Sequence, residues 1–246
     1  MYIKNCDKHK DAIVKRFEPA KQLRNFFTAR EIEELTLLQF QYAERLKWTS
    51  TSNNIQPICD MGKVLEQVPW FIERIQEQIG NFSDSHSGNF YITTQLHDAH
   101  VDLLTEDETQ NYAWSKKVVP YKSCVIPLLI TEGADAYTAF FNQRHIGYSV
   151  TLDRVNISDQ ANSDYKISRE YPDFINFGTE SKTEVLFPHI PAENLDGLTV
   201  ESVLEFTPGN IMIFDACQIH ASCVKPNRPN YRWLKSGINI QFYKEV

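Results

Sequence analysis

The 246-residue sequence has no apolar run near the roughly 20 residues that a bilayer-spanning helix needs, so a helical membrane span is not expected. Its most apolar short run, Cys124-Val125-Ile126-Pro127-Leu128-Leu129-Ile130, has the length of a buried strand. Residues Met1 to Lys10 are mixed and charged and lack the apolar segment of a signal peptide. The five cysteines (Cys6, Cys59, Cys124, Cys217, Cys223) are odd in number and scattered, with no Cys-x-x-Cys pair. That usage excludes a disulfide framework and predicts reduced thiols in a cytoplasmic protein. Basic residues are outnumbered: 25 Lys and Arg face 32 Asp and Glu, for a net charge of −7. Such a surface repels phosphate backbones, so neither nucleic acid nor a membrane is an expected partner. With 9 Gly and 11 Pro there is no collagen-like or low-complexity tract, and no internal repeat is visible.

What is present fits a folded globular chain. The composition is 42% hydrophobic and 23% charged, and the length suffices to bury a core without staples. Residues 1–80 read as helical. Thr28 and Glu31 make a capping box, followed by Ile32, Leu35, Leu38, Tyr42 and Leu46 at helical spacing. A second periodic set runs through Leu65, Val68, Ile72, Ile75 and Ile79 and stops at Gly80, with Pro69 marking a helix start or a kink.

From residue 88 onward the pattern is that of strands. Asn89–Gln95, Lys122–Ile130, Ala136–Asn142, Ile146–Asp153, Val203–Phe206, Asn210–Asp215 and Arg232–Tyr243 are short, β-branched and aromatic segments divided by turn residues. Pro208-Gly209 is a turn signal between two of them. A polar stretch near 155–185 reads as a lid or insertion. Helices first and strands after, without βαβ alternation, predict one α+β domain spanning 1–246 on a sandwich or barrel.

Three features of the strand region form a constellation. His100 and Asp102 lie two apart and share one side of extended backbone. His220 follows the strand-turn-strand unit Phe206–Asp215, and Arg232 opens the last strand. Two imidazoles and one carboxylate, with other positions open, are the ligand set of non-haem Fe(II) oxygenases. A cosubstrate with a distal carboxylate needs a fixed cationic donor, the chemistry that Arg supplies.

Through His100-Val101-Asp102, Phe206-Thr207-Pro208-Gly209 to Asp215, His220-Ala221-Ser222, Arg232-Trp233-Leu234 and Ile238–Phe242, the sequence resembles the iron(II)/2-oxoglutarate-dependent oxygenases. Within them it looks most like the phytanoyl-CoA hydroxylase-type branch. The resemblance implies a double-stranded β-helix (jelly-roll, cupin-like) core with N-terminal buttressing helices. It also implies Fe(II) ligated by His100, Asp102 and His220, and 2-oxoglutarate paired through its distal carboxylate with Arg232, with Ser222 beside it. Arg228 is the rival for the Arg232 role, and Gln95 and Tyr91 are candidate contacts to cosubstrate or substrate. The implied reaction consumes O₂, converts 2-oxoglutarate to succinate and CO₂, and hydroxylates, desaturates or cyclises a small molecule at an unactivated C–H bond. Halogenation is disfavoured because Asp102 keeps the carboxylate position filled. Two other readings remain: a cupin-like metal enzyme that uses no 2-oxoglutarate, and a non-catalytic jelly-roll binding protein.

Other residues receive ordinary roles. His97 is read as a bystander, Trp114, Tyr121 and Lys122 as core or pocket lining, and Arg144-His145 as a solvated loop. Cys217 and Cys223, which bracket His220, are read as inert buried thiols.

Overall fold

A computed structural model describes residues 17–43, 48–51, 54–57, 67–82, 84–94, 96–102, 118–132, 136–145, 150–151, 166–167, 186–195, 198–224 and 234–245. Among them the strands are β1 (Lys21–Leu23), β2 (Trp48–Thr51), β3 (Asn54–Pro57), β4 (Asp84–Thr93), β5 (His100–Val101), β6 (Val118–Ile130) and β7 (Tyr137–His145). They continue as β8 (Val150–Thr151), β9 (Lys166–Ile167), β10 (Val200–Glu205), β11 (Ile211–Asp215), β12 (Gln218–Cys223) and β13 (Lys235–Glu245). The helices are α1 (Ala29–Ala43), α2 (Pro69–Ile79) and the single turn α3 (Ala192–Leu195).

Two antiparallel sheets result. One has the order β1-β11-β6-β13-β4-β3-β2, and the other β10-β7-β12-β5-β8, with β9 paired to β7. Between β4 and β7, and again from β10 to β13, successive strands alternate between the two sheets. This winding is the double-stranded β-helix, or jelly roll.

Side-chain alternation sorts the core into layers. On β6, β11 and β13, Cys124, Ile126, Ile211, Ile213, Ile238, Ile240 and Phe242 face a cluster shared with Leu35 and Leu38 of α1 and Phe71, Ile75 and Ile79 of α2. On the second sheet, Ala139, Phe141, Ile219, Ala221 and Cys223 lie under Leu186, Phe187, Ile190, Leu195 and Leu198. Residues of the opposite parity from both sheets, among them Tyr91, Val125, Phe140, Met212 and Phe214, meet in a third cluster between the sheets. The polar inward positions of that middle layer hold the site.

Local signals explain most elements. The Thr28 N–H and Oγ–H both donate to Glu31 Oε2 (2.7 and 2.9 Å), and Glu31 N–H donates back to Thr28 Oγ1 (3.3 Å), the reciprocal capping box that starts α1. Pro69 starts α2 rather than kinking it, since its missing N–H falls among the donors that a first turn leaves unbonded. The Thr207–Asn210 turn closes through Asn210 N–H to Thr207 O (3.1 Å). Gly209 adopts φ +89°, where a Cβ would also stand 3.2 Å from Phe27 O, so the turn requires glycine on two grounds.

Several expectations need correction. Trp48–Thr51 and Asn54–Pro57, inside the stretch read as helical, form an antiparallel hairpin that extends the first sheet through β4. Trp48, Thr49, Thr51 and Ile55 are strand formers without a 3.6-residue period, and pairing of β2 with β3 and of β3 with β4 decides their state. β12 was not anticipated, although Gln-Ile-His-Ala-Ser-Cys alternates polar and apolar residues at the strand period. Of the strand expected at 146–153, Val150–Thr151 lies among the described residues. The lid expected at 155–185 lies outside them except for β9. No helix among the described residues is long and apolar enough to cross a membrane.

Candidate metal centre

β5 supplies one imidazole and β12 the other. In the β5/β12 ladder His100 stands directly opposite His220, so the pairing register itself brings the two rings to a centroid distance of 4.3 Å. Asp102 leaves the end of β5 two residues later and completes the group. His100 Nε2 lies 3.4 Å from Asp102 Oδ1, and His220 Nε2 lies 3.4 Å from Asp102 Oδ2. One ligand atom from each residue falls within 4.8 Å of the other two, a spacing that one cation can bridge.

The outer nitrogens are already engaged. His100 Nδ1 meets Asp98 O at 2.6 Å, and His220 Nδ1 meets Gln218 O at 3.0 Å. A carbonyl can only accept, so each ring keeps a proton on Nδ1 and turns Nε2 to the centre, where it can ligate once it carries no proton. Burial lowers the His220 pKa, helped by the His100 charge, which keeps that ring neutral and available. Burial also acts to lower His100, but the Asp102 carboxylate outweighs it and the net shift is upward. Burial acts to raise Asp102, yet the two imidazoles hold its carboxyl well below the usual carboxylate range. A divalent cation would take over the role the imidazolium charge plays here, so binding releases a proton and strengthens as pH rises through the His100 range.

Beside this centre lies a cation that sequence reasoning passed over. Lys235, the first residue of β13, is 3% exposed, donates from Nζ to Ser222 Oγ (3.2 Å), and lies 5.1 Å from the Phe206 ring centroid. Burial lowers its pKa to about 8. The inward face of β13 continues with Gly237, where a Cβ would stand 2.7 Å from Ile126 O and 2.8 Å from Tyr91 Oη. Tyr91 therefore occupies the space that a larger residue at 237 would fill. A Gly237→Ala protein must displace either strand backbone or the Tyr91 ring, so its denaturant midpoint should fall by the equivalent of about 1–3 kcal/mol at unchanged m value. Next on that face is Asn239, whose Nδ2 donates to Asp102 Oδ2.

The structure brings the ligand atoms of His100, Asp102 and His220 together and places Ser222 on Lys235 and Tyr91 within reach of the Asp102 charge. Tyr91 senses the Asp102 charge, and burial raises its pKa above the ordinary phenol value. Gln95, Arg228, Arg232 and Trp114 lie outside the described residues. His97 lies 5.6 Å from His100 between ring centroids, while its carbonyl accepts from Ser222 N–H (3.1 Å) and ties the loop before β5 to β12. Cys217 and Cys223 are buried thiols outside any disulfide, and burial pushes the Cys223 thiol up to about 12. Tyr121 donates to Ile79 O (2.6 Å), and Lys122 pairs with Asp215 (2.8 Å), so neither lines this centre.

Arg144 corrects the sequence reading outright. Its side chain is fully buried (0% exposed), not part of a solvated loop. Nε donates to Asp215 Oδ2 (3.1 Å), and Nη1 donates to Phe141 O (2.9 Å) and Asn142 O (2.8 Å). The β7/β12 register shifts between Gln218 and His220, and Gln218 Nε2 reaches the same Phe141 carbonyl (3.0 Å). The irregularity beside His220 leaves carbonyls that a five-donor guanidinium can satisfy, which a linear sequence does not reveal.

No protein-family profile and no curated protein matches the chain. Among solved structures, the α-ketoglutarate-dependent carbocyclase SnoK from nogalamycin biosynthesis is similar, at 8% identity and a TM-score of 0.50, over 98% of this chain and 85% of that one. The epimerase SnoN from the same biosynthesis gives 8% identity and a TM-score of 0.49 over 97% and 82%. A Pseudomonas putida prolyl-4-hydroxylase gives 11% identity and 0.44 over the full length of both chains. At these identities the likeness to SnoK establishes the fold.

Proposed function

We propose that the protein is a non-haem Fe(II)/2-oxoglutarate-dependent oxygenase, of the phytanoyl-CoA hydroxylase-like branch, acting on an unactivated C–H bond of a small molecule. The observation that carries this reading is the convergence of His100, Asp102 and His220, which are distant in the chain, with donor atoms within 4.8 Å of one another. SnoK, whose fold the chain shares, is described as α-ketoglutarate-dependent, which supports the same cofactor pair. In this reading residues 1–246 form one oxygenase domain, and α1 and α2 buttress the first sheet.

The residues fit the proposed groups. Two imidazoles with their Nδ1 positions engaged and one carboxylate suit Fe(II), and three ligands leave room for a chelating cosubstrate and O₂. Lys235 is a buried ammonium whose described neighbours include a hydroxyl and an aromatic face, the setting of a cation that awaits an anion. Lys235 and Ser222 would receive the distal carboxylate of 2-oxoglutarate, with Tyr91 against its methylene chain. Arg232 is the second candidate for that carboxylate, and Gln95 is a further candidate contact. When bound, iron and 2-oxoglutarate supply the oxidising chemistry, with succinate and CO₂ as by-products. The chain's own part is to fix Nε2 of both rings, hold Asp102 ionised, anchor the far end of the cosubstrate, and keep that end dry.

Anaerobic titration of the apoprotein with Fe(II) and then 2-oxoglutarate tests this directly. A metal-to-ligand charge-transfer band should appear only with both present. Iron uptake without a response to 2-oxoglutarate would leave a cupin-like metal enzyme, and no iron uptake would leave a binding protein. In the same assay, Arg232→Ala losing the band while Lys235→Met keeps it would transfer the anchoring role to Arg232.

A further inference from the structure

The Asn239 side chain is divided between two tasks. Its Nδ2 donates to Asp102 Oδ2, while its Oδ1 is buried and has no hydrogen-bond partner among the described residues. The residue sits on the inward face of β13, in the same row as Lys235 and Gly237, and is partly open where its neighbours Ile238 and Ile240 are buried. Each Asp102 oxygen faces one imidazole at 3.4 Å, Oδ1 toward His100 and Oδ2 toward His220, and Oδ2 differs in also accepting from the Asn239 amide.

We infer that Asn239 is a positioning residue that confines Asp102 to one-oxygen coordination and so keeps a coordination position open. This rests on reading His100, Asp102 and His220 as a metal site. The argument is one of geometry. A carboxylate near a divalent cation can bind through one oxygen or chelate through both, and chelation uses a further position. With two imidazoles, a one-oxygen carboxylate and a two-point cosubstrate, an octahedral ion keeps one position for O₂; with a chelating carboxylate it keeps none. An amide donor fixed by the β13/β6 and β13/β4 ladders occupies one lone pair of Oδ2, so a cation that chelated both oxygens would compete with that hydrogen bond.

Mn(II) serves as the probe, because water-proton relaxivity reports its exchangeable water ligands without any turnover. The wild-type protein should carry about three waters on bound Mn(II), the complement of three protein ligands on an octahedral ion. Asn239→Leu, close in shape but without the amide, should retain Mn(II) and carry about two waters. Asn239→Ser, whose hydroxyl is one bond too short to reach Asp102 Oδ2, should likewise carry about two waters, and serves alone if the Leu protein does not fold. Equal water numbers in wild type and in whichever variants fold would overturn the inference while leaving the metal site standing. Failure of the wild type to bind Mn(II) or Fe(II) at all would instead remove the reading on which it rests.

Discussion

His220→Ala should abolish 2-oxoglutarate-dependent succinate formation and weaken Fe(II) binding by more than about a hundredfold, the loss that removal of even an outer-sphere partner can reach. The size of the effect follows from where the side chain stands. His220 is 4% exposed, pairs across the ladder with His100, and is flanked by Phe140 and Phe214 at ring-centroid distances of 5.9 and 4.9 Å. Among the described residues His97 does not join the convergent ligand group, although its ring centroid lies 5.6 Å from that of His100. The fold should survive, because the ring faces the middle layer and not the aliphatic cluster of Ile219 and Ala221. His100→Ala and Asp102→Ala should behave alike, whereas His97→Ala should retain iron. Iron bound with near wild-type affinity in the His220→Ala protein, accompanied by succinate release, would remove the assignment.

The second large effect is opposite in sign for stability and for binding. Lys235→Met should eliminate measurable 2-oxoglutarate binding while raising the melting temperature of the ligand-free protein by several degrees. An ammonium at 3% exposure whose pKa falls from 10.5 to about 8 is penalised when charged. Because the folded pKa lies below the unfolded one, the penalty is fully present below pH 8 and is relieved as pH rises from 8 toward 10.5. Its size is about 3 kcal/mol, an order-of-magnitude figure. Met keeps the contact with Phe206 and removes the penalty. Cosubstrate affinity should show the matching pH dependence. The carboxylate binds the cationic form, so the dissociation constant should rise about tenfold per unit above pH 8, and Lys235→Arg should flatten that rise. A Lys235→Met protein that is less stable than wild type at pH 7 and binds 2-oxoglutarate normally would show that the lysine is structural.

That lysine also marks the limit of sequence reading. Arg232, the anchor the sequence suggests, lies outside the described residues, and Lys235 went unnoticed because its facing is not legible in the sequence. Which residue of β13 turns inward is a question of phase, and a shift of one residue reverses it. The register Lys235↔Ile130 and Lys235↔Thr93 sets the phase that puts Lys235, Gly237 and Asn239 on the inner face. Arg144 was misread for a similar reason. A charged residue at a strand end reads as exposed until Asp215 and the carbonyls of Phe141 and Asn142 are seen around it.

By itself the sequence determined the local chemistry. Thr28 and Glu31 set the start of α1, Pro69 that of α2, and Pro208-Gly209 the turn before β11, because each acts on backbone within a few residues. The His-x-Asp spacing likewise placed an imidazole and a carboxylate on one side of a strand end. Tertiary structure alone decided the rest. Trp48–Thr51 and Asn54–Pro57 became strands through pairing with each other and, for the second, with β4, and Gln218–Cys223 became the strand that carries His220 opposite His100. It also set Lys235 and Asn239 facing the same centre. These outcomes depend on hydrogen bonds and close packing between segments far apart in the chain, whose free energy exists only once the sheets have formed.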